Sequence, residues 1–274
     1  AAWSFRLLSS TYTGDCIRVR RSSDDVEADI GFSGGVLDET ALLAHVGTGG
    51  TDNGFITTWY EQSGNTATTA YPFDLQMWIT GYQPKIVSAG VVEKLNGKPT
   101  MVPQAATFTW LQYRGSYGVL DGSYPKAQPI SIFMTGNYDT AQLPTGHPKM
   151  AWDTGSSAGI WQNWGVWQWG MPAYGGGSPI VITGLPNGPQ VLVTSIFDSP
   201  AGETDSYLYV NGTVDTAANG VDAGNQTWSR MFVMMNNSNA EWDGTMQEFI
   251  IYDDSVLADK ANIEADINGF YSIY

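Results

Sequence analysis

The chain has 274 residues, among them 32 Gly, 13 Pro, 11 Trp, 14 Tyr and 10 Phe, and only 14% of its residues are charged. That length is enough to bury a large core, and the composition excludes a disordered chain or a helical bundle in favour of a turn-rich β protein. The formal charge is −15, and ten of the twelve Lys and Arg precede residue 150, so the C-terminal half lacks the clustered cations that nucleic acid requires.

The opening stretch, AAWSFRLLSSTYTG, places Trp3, Leu7 and Leu8 near helical spacing before a Thr-Gly turn, which predicts a short N-terminal helix. It lacks the basic-then-apolar order of a secretion signal, and no apolar run in the chain approaches the ~20 residues of a membrane helix. The alternation of Ile17 and Val19 with Arg18 and Arg20, followed by a polar turn at Ser22 to Asp25, predicts a strand, a turn and a second strand. In LDETALLAHVG, Asp38 is an N-cap, Leu42, Leu43 and Val46 form a buried stripe and Gly47 is the stop, so a helix is expected over 38–46. From Phe55 to Tyr252, segments such as FITTWYEQSG, PISIFMTG, PIVITGL, QVLVTSIFD, SRMFVMMN and GTMQEFIIYD have strand length and β-branched or aromatic content. Asn211-Gly212 in YLYVNGTVD marks a tight two-residue hairpin. Near the end, Ile263, Ile267 and Phe270 share a helical face that Asp254, Ser255 or Asp259 can cap, which predicts a helix over 255–272. The expected organisation is one domain over 1–274, with an N-terminal elaboration over 1–50, a sandwich over 55–252 and the closing helix.

Few residues suggest chemistry. Cys16 is the single cysteine, which excludes an intrachain disulfide or a multi-thiolate metal site and reads as a small buried hydrophobe. The two histidines, His45 in a helix pattern and His147 in a loop, do not support a His-based triad or a multi-His metal site. No cofactor is expected. Calcium is the alternative, since the loops TDNGF at 51–55, WDTGSS at 152–157 and YDDS at 252–255 offer oxygens without the spacing of an EF-hand. Asp153 with Glu241 or Asp243 is the carboxylate pair weighed for catalysis, against the reading that these sit in solvated loops. Glu61 and Gln62 in WYEQSGN read as polar groups that fix a strand-to-turn corner.

The YLYVNG hairpin, the GTMQEFIIYD strand and the amphipathic ending FYSIY together resemble the concanavalin A-like, laminin-G-like jelly rolls. Further blocks, AAWSFRLLSSTYTGDCIRVRRSSDD, FITTWYEQSG, LNGKP and NNSNAEWDGTMQEFIIYDDSVLADKANIEADI, are similar to the catalytic domain of the family 54 α-L-arabinofuranosidases and to related phage structural proteins. The resemblance implies an all-β, two-sheet jelly-roll sandwich with short peripheral helices near the N-terminus, around 38–46 and at the C-terminus. It also implies a retaining glycosidase ancestry, which needs two carboxyl groups ~5 Å apart. The family's acid/base Asp falls where this chain has Asn236 in MMNNSN, and no Glu lies between Glu93 and Glu203 to match the nucleophile. An amide cannot deliver a proton as an acid of tuned pKa, so no catalytic residue is assigned. The implied role is a non-catalytic virion component, a capsid decoration, fibre or tail protein that adheres to glycans. Its expected partners are other virion proteins, copies of itself and cell-surface glycan, with no nucleic acid and no membrane. The alternatives are a divergent arabinofuranosidase-like hydrolase and a free, secreted carbohydrate-binding module.

The stretch IWQNWGVWQWG carries Trp161, Trp164, Trp167 and Trp169, with Trp152 upstream. Positions 167 and 169 would share a strand face and position 164 the other, so the four indoles cannot all enter one core. Core, subunit contact and sugar platform all stay open for them. Together with Tyr174 in the AYGGGSP shoulder and Asn236, they form the candidate carbohydrate-binding or interface set.

Overall fold

The computed structural model describes residues 1–64, 73–104, 109–113, 126–127, 129–137, 149–153, 159–162, 168–171, 180–183, 188–198, 206–221, 227–228, 232–234 and 244–274; at 113, 126–127, 149–153, 159–162, 168–171, 180–183, 214–221, 227–228 and 232 only the course of the backbone is described. Among the described residues the architecture is mostly β, with antiparallel sheets and two short α-helices, as the sandwich expectation requires.

One sheet has six strands in the order Ala2–Ser4, Thr245–Tyr252, Ile130–Asn137, Gln190–Phe197, Ser206–Val210 and Thr213–Val221. The other has twelve: its long path runs Ile180–Thr183, Gln168–Met171, Gly159–Gln162, Lys149–Asp153, Phe232–Val233, Leu111–Tyr113, Leu75–Gln76, Gly54–Trp59, Ile17–Arg21 and Glu27–Ile30, and Lys85–Ser88 with Val91–Val92 branches from the Gly54–Trp59 strand. Alternate residues of both sheets meet in one core, where Phe5 stacks on Trp59 at 5.3 Å and Trp3 on Phe249 at 5.9 Å.

The opening segment is a strand and not the expected helix. Ala2, Trp3 and Ser4 pair with Ile250, Phe249 and Glu248. The governing period is two: Trp3 and Phe5 enter the inter-sheet core, while Ser4 and Arg6 bond Glu248 on the opposite face. A ladder partner some 245 residues away fixes this, and a window of fourteen residues cannot reveal it.

The other local signals hold. Ile17–Arg21 and Glu27–Ile30 form the predicted hairpin. The helix Glu39–Val46 has the Asp38 carboxylate accepting from Ala41 N at 2.9 Å, buries Leu42 and Val46, and ends at Gly47 with φ 97°. Asn211 and Gly212 take φ 51° and 72°, the two positive values a type I′ turn requires. Within SRMFVMMN the described strand is Phe232–Val233, followed by Met234 at φ 69°.

The closing helix spans Lys260–Tyr271 and lies over the six-stranded sheet, where Ile267 and Tyr271 pack with Phe133, Leu192 and Ile250. Asp259 stands at its N-cap without a side-chain cap bond, and Asp254 accepts from Ser255 N instead. In the Ile130–Asn137 strand, Gly136 sits at a bulge where a Cβ would lie 2.1 Å from the Thr245 carbonyl oxygen, so no larger residue fits.

Candidate functional site

Burying a carboxylate is costly unless its oxygens are bonded, so the buried acids are the first place to look for chemistry. Glu248 accepts from Arg6 Nε at 2.7 Å, Arg6 Nη2 at 3.0 Å and Ser4 Oγ at 2.6 Å, and Arg6 also pairs with Asp266 at 2.8 Å. Burial opposes the Arg6 charge, and the Glu248 bond more than offsets it, so the guanidinium is held charged. Glu264 accepts from Thr194 Oγ1 at 2.7 Å and from Lys260 Nζ at 2.6 Å. Both acids fasten the closing helix to its sheet.

Glu61 and Gln62 fix the corner the sequence suggested. Glu61 accepts from Ala2 N at 2.9 Å and Ser63 N at 2.8 Å, while Gln62 donates to Ser4 O at 2.7 Å and accepts from Leu8 N at 3.0 Å. Asp74 accepts from Glu61 N at 3.0 Å. Burial, and then the neighbouring Glu61, push the Asp74 carboxyl above its usual range, although that N–H bond works the other way. Cys16 is fully buried, and burial pushes its thiol far above the range in which it ionises. His45 Nε2 is hydrogen-bonded to Val19 O at 3.1 Å. In the 51–55 loop, Asp52 is taken by Ser22 and Ser23.

A different arrangement crosses the face of the twelve-stranded sheet turned away from the core. Successive ladder partners run Asp29, Arg18, Thr58, Gln76 and Gln112, and the backbone register continues to Phe232, Asp153 and Gly159. The residues of opposite parity, Ile17, Trp59, Leu75 and Leu111, are buried in the core, which assigns the polar row to the outer face. Arg18 forks onto Asp29 at 2.7 and 2.6 Å, and Tyr60 Oη donates to the same carboxylate at 2.6 Å. The Arg18 bond, against some burial, holds Asp29 below the usual carboxylate range.

Beside the row stands a group of aromatic rings. Trp78, two residues past Gln76, is 59% exposed, an uncommon state for the largest apolar side chain. Trp110, two residues before Gln112, donates its Nε1–H to Gln112 Oε1 at 3.1 Å and stacks on Tyr82 at 4.5 Å with 27° between the planes. Gln76 pairs with Gln112, and just outside that ladder Trp110 N donates to Tyr82 O at 3.0 Å. The short Thr80–Tyr82 turn is held by Gln104, whose Nε2 donates to Gln83 O at 2.6 Å. The indole of Trp78 is open to solvent, while Gln112 is buried and the Tyr82 and Trp110 rings are partly buried against the inter-sheet core.

The expected tryptophans fall partly within the described residues. Trp161 pairs with Met150 and Gly170, and Trp169 with Ile182, on neighbouring strands at the far end of the same sheet. Trp152 pairs with Val233, a core residue. Trp164, Trp167, Tyr174 and Asn236 lie outside the described residues, as do His147, Glu241 and Asp243. The row has only a faint sequence signal, a Gln and a Trp two apart in QMW at 76–78 and, in the opposite order, in WLQ at 110–112, and it is the register of Gln76 with Gln112 that joins them.

No protein-family model and no curated protein matches the chain. Among solved structures, its fold is similar to a GH54 α-L-arabinofuranosidase soaked with a cyclic sulfate inhibitor, at 15% identity and a TM-score of 0.58. It is also similar to an arabinofuranosidase complexed with arabinofuranosyl-α-1,2-xylobiose, at 16% identity and a TM-score of 0.56. Each alignment covers 97% of this chain and 61% of the other, so the chain spans about three fifths of the length of these proteins. At such identity the likeness is one of fold.

Proposed function

We propose that this chain is a β-sandwich that holds carbohydrate and does not cleave it, serving in a phage particle as a capsid decoration, fibre or tail component. The reading is carried by the row of Asp29, Arg18, Thr58, Gln76 and Gln112 across one sheet face, beside exposed and stacked aromatic rings. Planar amides and carboxylate–guanidinium pairs match the paired hydroxyls of a sugar, and indole faces match its C–H surface. A fold shared with arabinofuranosidases supports the same ligand class. Trp161, Trp164, Trp167, Trp169, Tyr174 and Asn236 extend the proposed contact set.

The non-hydrolytic part rests on residues. A retaining mechanism needs a nucleophile and a proton donor about 5 Å apart. Among the described residues the buried acids Glu61, Asp74, Glu248 and Glu264 are bonded within the fold, position 236 is Asn, and no Glu lies between Glu93 and Glu203. The virion setting rests on the resemblance of the terminal blocks to phage structural proteins.

A glycan array, together with arabinose release from an arabinofuranosyl xylo-oligosaccharide, tests the reading. The full chain is expected to bind and to release nothing, and Asn236→Asp to stay inactive because no nucleophile is supplied. Release of arabinose that disappears when one carboxylate is changed overturns it in favour of a hydrolase. The chain is further expected in immunoblots of purified phage particles; its presence free in culture fluid alone contradicts the virion setting.

A further inference from the structure

We propose that Glu61 and Asp74 form a pH-responsive latch on the free edge of the Ala2–Ser4 strand, closed while one of the two carboxyls holds a proton and loosened when both are ionised. The latch is independent of the carbohydrate reading and acts at the opposite edge of the core, on the outermost strand of the six-stranded sheet.

The geometry makes the latch. One side of Ala2–Ser4 pairs with Thr245–Tyr252, and a strand in that place has N–H and C=O groups on its other side that need partners. The Glu61-Gln62 corner takes them. Glu61 Oε1 accepts from Ala2 N at 2.9 Å, Gln62 N donates to Ala2 O at 2.8 Å, Gln62 Nε2 donates to Ser4 O at 2.7 Å, and Leu8 N donates to Gln62 Oε1 at 3.0 Å. Asp74 holds the corner in turn by accepting from Glu61 N at 3.0 Å, and its neighbour Phe73 accepts from Trp3 Nε1 at 3.1 Å. Backbone and indole of the strand are thus held by two short segments that each carry a buried carboxyl.

The charges make the latch respond to pH. Two like charges in a water-poor corner repel more strongly than they would in solvent. Burial and then Glu61 disfavour the ionised form of Asp74, so its proton leaves above the usual carboxylate range. Once it has left, Asp74 and Glu61 repel, and the Glu61 bond to Ala2 N weakens. The groups around the pair do not offset this. Burial above all keeps the Tyr12 and Tyr60 hydroxyls and the Cys16 thiol neutral, and Asp15 near Tyr12 is a further acid with a raised carboxyl. Arg18 forks onto Asp29, Arg6 is bound to Glu248 and Asp266, and the Ala1 amine donates to Ile251 O at 2.9 Å. The stretch NTATTAYP at 65–72, which joins the two segments, contains no charged residue. The tightening is therefore present in acid and is lost as pH rises through the raised Asp74 value.

The test is amide exchange followed by NMR on the full chain from pH 5 to pH 8, each rate taken relative to that of an unstructured peptide at the same pH. Protection of the Gln62 and Leu8 amides is expected to fall by about threefold or more across this range, with the midpoint of the Asp74 side-chain carboxyl shift, while the Glu39–Val46 helix keeps its protection. Asp74→Asn and Glu61→Gln each keep an acceptor and should remove the dependence, and Asp15→Asn should leave it in place. In the unaltered chain, protection that does not vary with pH, a midpoint apart from that of the Asp74 carboxyl, or a fall shared by the Glu39–Val46 helix overturns the latch. A dependence that survives Asp74→Asn, or that disappears in Asp15→Asn, overturns it as well.

Discussion

On the six-stranded sheet, the face turned from the core carries Glu248, Arg6 and Thr194 beneath the closing helix. On the twelve-stranded sheet the corresponding face carries Asp29, Arg18, Gln76 and Gln112 beside an exposed Trp78. The first face bonds its charges to the element that covers it: Arg6 serves Glu248 and Asp266, and Thr194 serves Glu264. Even the cavity of about 840 Å³ at its margin is lined by groups already bonded, such as Arg6 and Gln62. The second face pairs Arg18 with Asp29 on itself and leaves the Trp78 indole open, with Thr58 and Gln112 buried along the row. Buried ion pairs whose partners are internal speak for architecture, and neutral hydrogen-bonding groups beside an exposed indole speak for recognition.

The strongest way to break this contrast is Glu248→Ala. It leaves the Arg6 guanidinium without its bidentate partner and strips Ser4, and a loss of about 3–5 kcal/mol in urea unfolding is expected, with sugar binding by the folded protein unchanged. Retained stability would show that the closing helix is held by apolar packing alone. Next comes Gly136→Ala, whose Cβ would meet the Thr245 carbonyl oxygen at 2.1 Å. Backbone cannot yield as a side-chain tip can, so about 1–3 kcal/mol is expected by the same measurement.

The smallest effect concerns Asp74. Its carboxyl titrates above the ordinary range because burial and Glu61 disfavour the charged form. The folded chain therefore holds this proton more tightly than the unfolded chain. That contribution is fully present below the ordinary value of about 3.9 and is lost as pH rises through the raised value. Asp74→Asn keeps an acceptor for Glu61 N and removes the titration. Its stability relative to the parent should rise from acidic to neutral pH in thermal unfolding; a difference that does not vary with pH contradicts the assignment.

Local chemistry was legible wherever it was self-contained. Asp38 and Gly47 bounded a helix, Asn211-Gly212 a hairpin, and the Ile17/Arg18 alternation a strand, because each depends on neighbours in the chain. The Trp3 strand was not legible, since its period is set by Phe249 and Glu248 at the other end of the chain. The polar row was hidden for a related reason. Asp29, Arg18, Thr58, Gln76 and Gln112 come from five strands, and register alone unites them. Trp78 stood isolated in the sequence, while the denser tryptophans of 161–169 drew attention by number; what marks Trp78 is exposure, a property of the fold.

Mapping chemical shifts of the labelled full chain during titration with a neutral xylo-oligosaccharide tests most directly whether the open face is where sugar is held. The Trp78 indole and the Gln76 and Gln112 side-chain amides should shift together, with Tyr252, Asp266 and the closing helix unmoved and the sugar recovered intact. Shifts confined to the closing helix, or free monosaccharide accumulating in the tube, would contradict the account.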